Sequence, residues 1–413
     1  MKRLIKPTAV NGIIHPPASK SLAQRAIAVA SLALGQSKIL HPGNSDDVLA
    51  AIRVCRTLGS EIQQLPNSLI INGGINEPHE PLDCGEAGLG IRMFSLIAAT
   101  LDKPVILTGR GTLTKRPMSS IEQSIVAMGA KCKTNNGYVP ITVCGPLPGG
   151  TAKVDGSLSS QVLTGMLLAA PLAKSELIIQ VSNLKSKPYI DLTIDVMKRF
   201  GVEVENDNYK TFGIKPESEY SPAEIVVEGD WSGAAFMLVA GAIAGKVRVE
   251  NISLSSKQAD RAIVDALKLA GASISSGKNS IEVKTNELKG FIFDATDCPD
   301  LFPPLVALAA YCKGETSIRG VSRLKTKESN RAATLKEEFG KLGVVIKIKG
   351  EEMIINGKIP VAGTVKSHGD HRIAMACAVA GLAAKGNIEI NDAQAVAKSY
   401  PEFFNDLRSI IKD

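Results

Sequence analysis

The sequence predicts an α/β fold of two domains, each assembled from three copies of one unit, and three observations carry that prediction. First, six short polar tips open directly into runs of small apolar residues: Lys20-Ser21, Gly88-Leu89-Gly90, Ser159-Ser160-Gln161, Ser232-Gly233, Pro299-Asp300 and His371-Arg372. Measured from Lys20, Gly88, Ser160, Ser232, Asp300 and His371, the steps are 68, 72, 72, 68 and 71 residues, which is an internal repeat. Second, a glycine that follows an apolar helical segment and precedes strand-like sequence recurs at Gly59, Gly129, Gly201, Gly271 and Gly343, at intervals of 70, 72, 70 and 72. Third, single cores stop growing near ~250 to 300 residues, so three units per core suit this chain better than six around one.

Within each unit the elements follow in a fixed order. The polar tip starts a helix that is apolar all round, as in 162–173 or 373–384, and such a helix belongs in the interior. A β-rich strand follows, for example 104–108 or 246–250, and then an amphipathic helix such as 260–269. That second helix stops at the recurring glycine, a left-handed C-cap. A strand pair closes the unit, as in 344–349 and 353–355 turned by Lys349-Gly350. The sixth unit stops at its second helix and lacks the pair. Segment 4–14, split by Asn11-Gly12, is expected to supply it and so to bring the two ends of the chain into one domain. The expected domains are 1–18 with 229–413, carrying both termini (units four to six), and an inserted 19–228 (units one to three).

Composition excludes several classes. Hydrophobic content of 44% and charged content of 22% are those of a globular chain, and no apolar run reaches the ~18 residues of a membrane span. The start, Met1 to Pro7, has basic residues but no apolar core behind them, so no secretion signal is read. Seven cysteines at 55, 84, 132, 144, 298, 312 and 377, never in a C-x-x-C pair, fit reduced thiols in a cytoplasmic protein. The net charge of +7 points to an anionic partner without naming it. Aromatics at 4% argue against the interleaved basic and aromatic surface of a nucleic-acid module.

The tips are where chemistry is expected. Helix N-termini offer unpaired N–H groups and the positive end of the macrodipole, so several brought together bind anions. Lys20, Ser21 and Arg25 open the first helix; Arg92 follows Gly88; Arg116 precedes Pro117; Lys327 and Arg331 open a later amphipathic helix; Arg372 and Lys398 belong to the last unit. One such tip reads as a solvated cation beside a cap. Cations set repeatedly at the wrong end of the dipole call for an anion. Asp300 and Glu328 are the acid–base candidates, each a base if its cations dominate and a proton donor if burial does. His368 and His371 have no third ligand at a metal-site spacing, so His371 is read as a hydrogen-bonding or proton-shuttling residue. No metal or organic cofactor is expected, and no phosphate-binding loop ending in Gly-Lys-[Ser/Thr] occurs.

These motifs, in collinear order over nearly the whole chain, resemble the 5-enolpyruvylshikimate-3-phosphate synthase family. They are Ser19-Lys20-Ser21 with Arg25, Ala87-Gly88 with Arg92, Lys115-Arg116-Pro117, Asp155-Gly156-Ser157 through Ser159-Ser160-Gln161, and Ser186-Lys187-Pro188-Tyr189-Ile190-Asp191. Beyond the midpoint come Glu228-Gly229-Asp230, Pro299-Asp300, Lys327-Glu328-Ser329 with Arg331, Gly369-Asp370-His371-Arg372, and Lys398. The resemblance implies two domains of three βαβαββ units, an inside-out α/β barrel of the enolpyruvyl transferase type, with the active site in the cleft between domains. Cations drawn from both expected domains lead to the further expectation that the domains close on substrate. The implied reaction moves the enolpyruvyl group of phosphoenolpyruvate to the 5-hydroxyl of shikimate 3-phosphate and releases phosphate, a shikimate-pathway step toward chorismate and aromatic amino acids.

By position, the resemblance implies that Lys20, Gly88, Arg116, Gln161, Arg331, Arg372 and Lys398 hold phosphoenolpyruvate. It implies that Ser21, Arg25, Ser159, Ser160, Gln161, Ser186 and Tyr189, with Asp300 and Lys327, hold shikimate 3-phosphate. Asp300 would take the 5-hydroxyl proton and Glu328 would handle the proton at the C3 methylene of phosphoenolpyruvate, with Lys20 and His371 also catalytic. A monomer that meets only these small molecules, and no membrane or nucleic acid, is expected. The chain departs from the family at Ala18 (usually Gly), Gln24 (Asn), Glu86 (Asn), Leu89 (Thr) and Met93 (Pro). Glu86 weakens a phosphate site unless a cation such as Arg116 pairs with it. Two alternatives stand beside this reading. One is the related UDP-N-acetylglucosamine enolpyruvyl transferase, whose reactive loop cysteine is missing from 109–116; the other is a diverged anion-binding paralogue without catalysis.

Overall fold

The computed structural model describes residues 1–157, 160–215 and 218–411. They form two compact units: a discontinuous one of Met1–Pro17 with Glu228–Asp413, and a continuous one of Ala18–Val227. The continuous unit holds helices α1 (Lys20–Leu32), α2 (Gly88–Ala98) and α3 (Ser160–Ala169). The discontinuous unit holds α4 (Trp231–Ala244), α5 (Phe302–Ala309) and α6 (His371–Gly381). These helices are the apolar runs behind the six tips. Every residue of α2 and α6 is buried, which is why neither carries a polar stripe. Small residues let the helices approach closely: a Cβ on Gly165 of α3 would lie 2.8 Å from the Arg92 carbonyl oxygen on α2.

The second helix of each unit is striped instead. Ile263–Ala270 buries Ile263, Val264, Ala266, Leu267 and Ala270 and stops at Gly271. The five recurring glycines have φ of +104°, +87°, +86°, +88° and +80° in chain order, the left-handed conformation that a side chain resists.

Each unit also builds one small mixed sheet. In the fifth, Ile292–Asp294 runs parallel to Glu315–Arg319. Glu315–Arg319 pairs antiparallel with Glu352–Asn356, which pairs in turn with Ile346–Lys349 across a turn at Gly350. The other sheets repeat this order with four strands, except the sixth, which has three.

The N-terminal segment corrects one expectation. Arg3–Ile5 does join the sixth sheet, antiparallel to Lys385–Asn391. The second strand, Val10–Ile14, instead lies parallel to Gly245–Glu250 in the fourth sheet. Asn11-Gly12 is therefore inside a strand, and the break falls at 6–9 around Pro7, which has no N–H to give a ladder. Gly12 serves close packing rather than a turn, since a Cβ there would lie 2.6 Å from Cγ2 of Ile410. The matching strand of the first sheet, Glu224–Val226 beside Gly35–Leu40, comes from the far end of the continuous unit. Each strand that leads the chain across between units therefore completes a sheet in the unit it is leaving. Among the described residues no helix is long and apolar enough to cross a membrane.

Candidate active site

In the discontinuous unit the tips of α5 and α6 and the turn 325–330 converge on Asp300. This residue lies in the single 3-10 turn Pro299–Leu301, which precedes α5 because Pro303 and Pro304 supply no N–H to earlier carbonyls. Its Oδ1 meets Arg331 Nη1 at 2.6 Å and Lys327 Nζ at 3.1 Å, and its Oδ2 meets Arg372 Nη2 at 3.1 Å. Arg331 is shared among three carboxylates: its Nε donates to Asp370 Oδ2 at 2.8 Å and its Nη2 to Glu328 Oε2 at 2.5 Å. Asp370 in turn caps α6, accepting from Arg372 N at 3.0 Å. Lys398 Nζ donates to the Gly369 carbonyl at 2.9 Å. Lys327 precedes the helix Arg331–Lys341 rather than opening it.

Exposure separates two layers. The side chains of Asp300, Lys327 and Glu328 remain 18%, 20% and 14% exposed, whereas Arg331 and Asp370 are at 1% and 0%. Arg331 thus sits behind the carboxylates that can meet a ligand. Burial alone would raise the Asp300 carboxyl, but Arg372, Lys327 and Arg331 outweigh it, against Glu328, and hold it well below the usual range. Burial draws the Lys327 ammonium down, with Asp300 opposing. Burial also works against the Arg331 guanidinium, but Asp370, Glu328 and Asp300 prevail and keep it charged.

The sequence reading missed Asp260, which it took only as the start of a helix. It is 1% exposed, the Ser232 hydroxyl donates to its Oδ2, and its Oδ1 has no hydrogen-bond partner among the described residues. Burial, then the negative charge of Asp300, pushes its carboxyl up to about 7, against Arg372 and Ser232. Ser232 at the fourth tip was the available signal. His371 is buried, with Nδ1 3.9 Å from Asp370 Oδ1. His368 pairs with buried Glu338 at 2.5 Å. Glu337, Glu338 and His368 gather ligand atoms within 4.8 Å of one another, but the Lys341 ammonium lies 2.8 Å from Glu338 and 3.1 Å from Glu337 and fills the cation's place.

In the continuous unit, Lys20 pairs with Asp47 at 2.8 Å, both largely buried. Ser19 caps α1 through Leu22 N. Arg25, 1% exposed, ties three helices together. It donates to Thr193 Oγ1 at 2.9 Å, the Ser21 carbonyl at 2.7 Å, Thr164 Oγ1 at 3.2 Å and the Tyr189 carbonyl at 3.4 Å. Among the described residues four of its five N–H groups are thereby engaged, and burial lowers its pKa to about 10, with Tyr189 opposing. Ser186, at φ +59°, stands ahead of the helix Lys187–Arg199 that carries Tyr189 and Thr193. Ser160 is buried and Gln161 half-buried at the start of α3; Ser159 lies outside the described residues.

The Arg116 guanidinium lies directly on the α2 tip, where a Cβ on Gly88 would come within 2.7 Å of its Cζ. Arg92 braces the pair from behind, donating to the Gly88 carbonyl at 2.9 Å and the Pro117 carbonyl at 3.4 Å. It holds the loop that presents Arg116. Leu89 and Met93 pack into the core. The Glu86 carboxylate accepts from Thr112 N at 2.8 Å and Thr112 Oγ1 at 2.7 Å.

Each unit therefore presents a cluster of enclosed cations at helix tips, one of them wrapped around an ionised carboxylate. Residues 4–407 match the family model described as EPSP synthase (3-phosphoshikimate 1-carboxyvinyltransferase). The chain is 38% identical over 419 residues to the 3-phosphoshikimate 1-carboxyvinyltransferase of Clostridium novyi, covering 98% of this chain and 96% of that one. It is 34% identical over 423 residues to that of Methanocorpusculum labreanum, covering 100% and 99%. A solved structure of EPSP synthase from Acinetobacter baumannii superposes with a TM-score of 0.84 at 27% identity, over 99% of this chain and 98% of that one. The architecture is the mixed α/β fold of the enolpyruvyl transferases, and the chain belongs to the EPSP synthase family.

Proposed function

We propose that this protein transfers the enolpyruvyl group of phosphoenolpyruvate to the 5-hydroxyl of shikimate 3-phosphate and releases phosphate, as a 3-phosphoshikimate 1-carboxyvinyltransferase of the shikimate pathway. The observation that carries the reading is Asp300, an ionised carboxylate with an accessible edge held among Lys327, Arg331 and Arg372. Pure anion binding gains nothing from a carboxylate there, whereas acid–base chemistry on an anionic substrate needs one.

The same cations explain how a weakly basic carboxylate becomes a competent base. When substrate phosphate and carboxylate groups draw Lys327 and Arg372 toward themselves, Asp300 loses part of the field that depresses its proton affinity. It then accepts the 5-hydroxyl proton as that oxygen bonds to C2 of phosphoenolpyruvate. Glu328, also partly exposed, delivers a proton to C3 and removes one from the resulting methyl group as phosphate leaves. Lys20, Arg116, Arg372 and Lys398, with the N–H groups of Gly88 and the amide of Gln161, would bind phosphoenolpyruvate and stabilise the tetrahedral intermediate. Arg331 would act on it from behind, by fixing Asp300 and Glu328. Ser21, Ser160, Ser186, Tyr189, Lys327 and the remaining N–H of Arg25 would bind shikimate 3-phosphate, and His371 would contribute from the α6 tip.

The protein would work as a monomer on these small molecules in the cytoplasm, without metal, organic cofactor, nucleic acid or membrane. Its seven free cysteines, five of them buried, support the compartment. Phosphate release from phosphoenolpyruvate, followed with shikimate 3-phosphate and separately with UDP-N-acetylglucosamine, tests the reading. Release with shikimate 3-phosphate alone is expected; release only with the sugar nucleotide, or with neither, overturns it.

A further inference from the structure

Three hydrogen bonds zip the segment before α2 to the segment before Arg116. Cys84 N donates to the Thr108 carbonyl at 3.0 Å and Arg110 N to the Gly85 carbonyl at 2.8 Å. The third, from Thr112 N at 2.8 Å, goes to the Glu86 side chain rather than to a carbonyl. The Thr112 hydroxyl donates to the same oxygen, Oε2, at 2.7 Å. The ladder ends there because the chain turns: Gly111 has φ +56°, and a Cβ on it would collide with the Glu86 carboxylate. The 3-10 turn Gly111–Lys115 follows, with Arg116 N closing it onto the Leu113 carbonyl at 3.1 Å. Directly beyond it the Arg116 guanidinium rests on Gly88.

We propose that Glu86 is a positioning residue for Arg116. Its carboxylate clamps the 111–115 turn through Thr112 and so sets the guanidinium over the α2 tip, where it meets the anionic end of phosphoenolpyruvate. The clamp acts on one side of the loop while Arg92, bonded to the Gly88 and Pro117 carbonyls, acts on the other. The side chain needs the reach of Glu, since an Asp or Asn carries its oxygen one methylene short of Thr112. It needs only an acceptor, which a Gln oxygen also provides. The carboxylate that looks hostile to a phosphate site is thereby committed to two donors of the loop.

The inference rests on the proposed phosphoenolpyruvate site, so its test has one readout that depends on turnover and one that does not. Hydrogen exchange of 110–116, followed by mass spectrometry on the ligand-free protein, should speed up in E86A and E86D and stay slow in E86Q. In steady-state kinetics, E86A and E86D should raise KM for phosphoenolpyruvate about tenfold, the equivalent of about 1.4 kcal/mol, with KM for shikimate 3-phosphate within about twofold. E86Q should recover most of that loss. Adding T112A to E86A should cost little more, because E86A has already taken the Glu86 acceptor from the Thr112 hydroxyl. Unchanged exchange in E86A overturns the clamp. Accelerated exchange with an unchanged KM for phosphoenolpyruvate overturns its link to Arg116, and rescue by E86D but not E86Q shows that charge, not reach, is what matters. A wild-type protein without turnover would instead sink the functional reading, leaving the exchange result to decide the clamp.

Discussion

Arg331 Nη1 lies 2.6 Å from Asp300 Oδ1, and the same guanidinium also bonds Glu328 and Asp370. One enclosed cation thus sets the position of both acid–base candidates and of the carboxylate that caps α6. Removing it leaves three carboxylates facing one another. Arg331→Met should therefore destabilise the fold by about 3–5 kcal/mol, read as a shift of the urea midpoint. A midpoint unchanged within error would show that the cluster is not coupled through Arg331.

Asp300 has the opposite profile, because it is partly exposed and Arg331 keeps two other carboxylates. Asp300→Ala should reduce turnover by ~10² or more, with binding of phosphoenolpyruvate largely kept when measured by calorimetry. Near-normal turnover would remove Asp300 from the mechanism.

Asp260 supplies a pH dependence. Its carboxyl is raised from 3.8 to about 7, so in that window the folded protein holds a proton that the unfolded chain has released. Stability contributed by this group is complete below the unfolded value and declines as pH rises through about 7. Asp260→Asn, which is neutral throughout, should gain on the wild type as pH goes from 4 to 7, at up to about 1.4 kcal/mol per pH unit, and then level off. Denaturant midpoints that run parallel for the two proteins from pH 4 to 8 would contradict this.

Gly343 isolates the backbone. It has φ +80°, and a Cβ there meets Val361 at an ordinary 3.6 Å, so Gly343→Ala is resisted by conformation and not by space. A loss of about 1 kcal/mol is expected, with turnover intact. No loss would mean that the C-cap relaxes without cost.

The repeat was legible because its signals are local. An all-apolar helix, an amphipathic helix and a left-handed glycine each leave their mark within a dozen residues, and Gly59, Gly129, Gly201, Gly271 and Gly343 all took the conformation their context demanded. The tip cations were legible for a related reason: Lys20, Arg116, Arg331 and Arg372 stand where a helix dipole disfavours them. Asp300 and Glu328, partners of Arg331, were legible with them. Asp47, Asp260 and Glu338 were not, because they lie in helical segments and meet Lys20, Ser232 and His368 from tens of positions away.

The chain's own order of residues was enough for the unit, its helices and its caps. Folding in three dimensions chose which strand completes which sheet, sending Val10–Ile14 to the fourth sheet although Asn11-Gly12 reads as a turn. It also assigned the charges their partners, turning Glu86 from an anion beside a phosphate site into a clamp on Thr112. Periodicity and backbone preference are properties of neighbouring residues and survive in the sequence. Strand pairing, burial and ion pairing depend on groups that only the closed chain brings within a few ångströms.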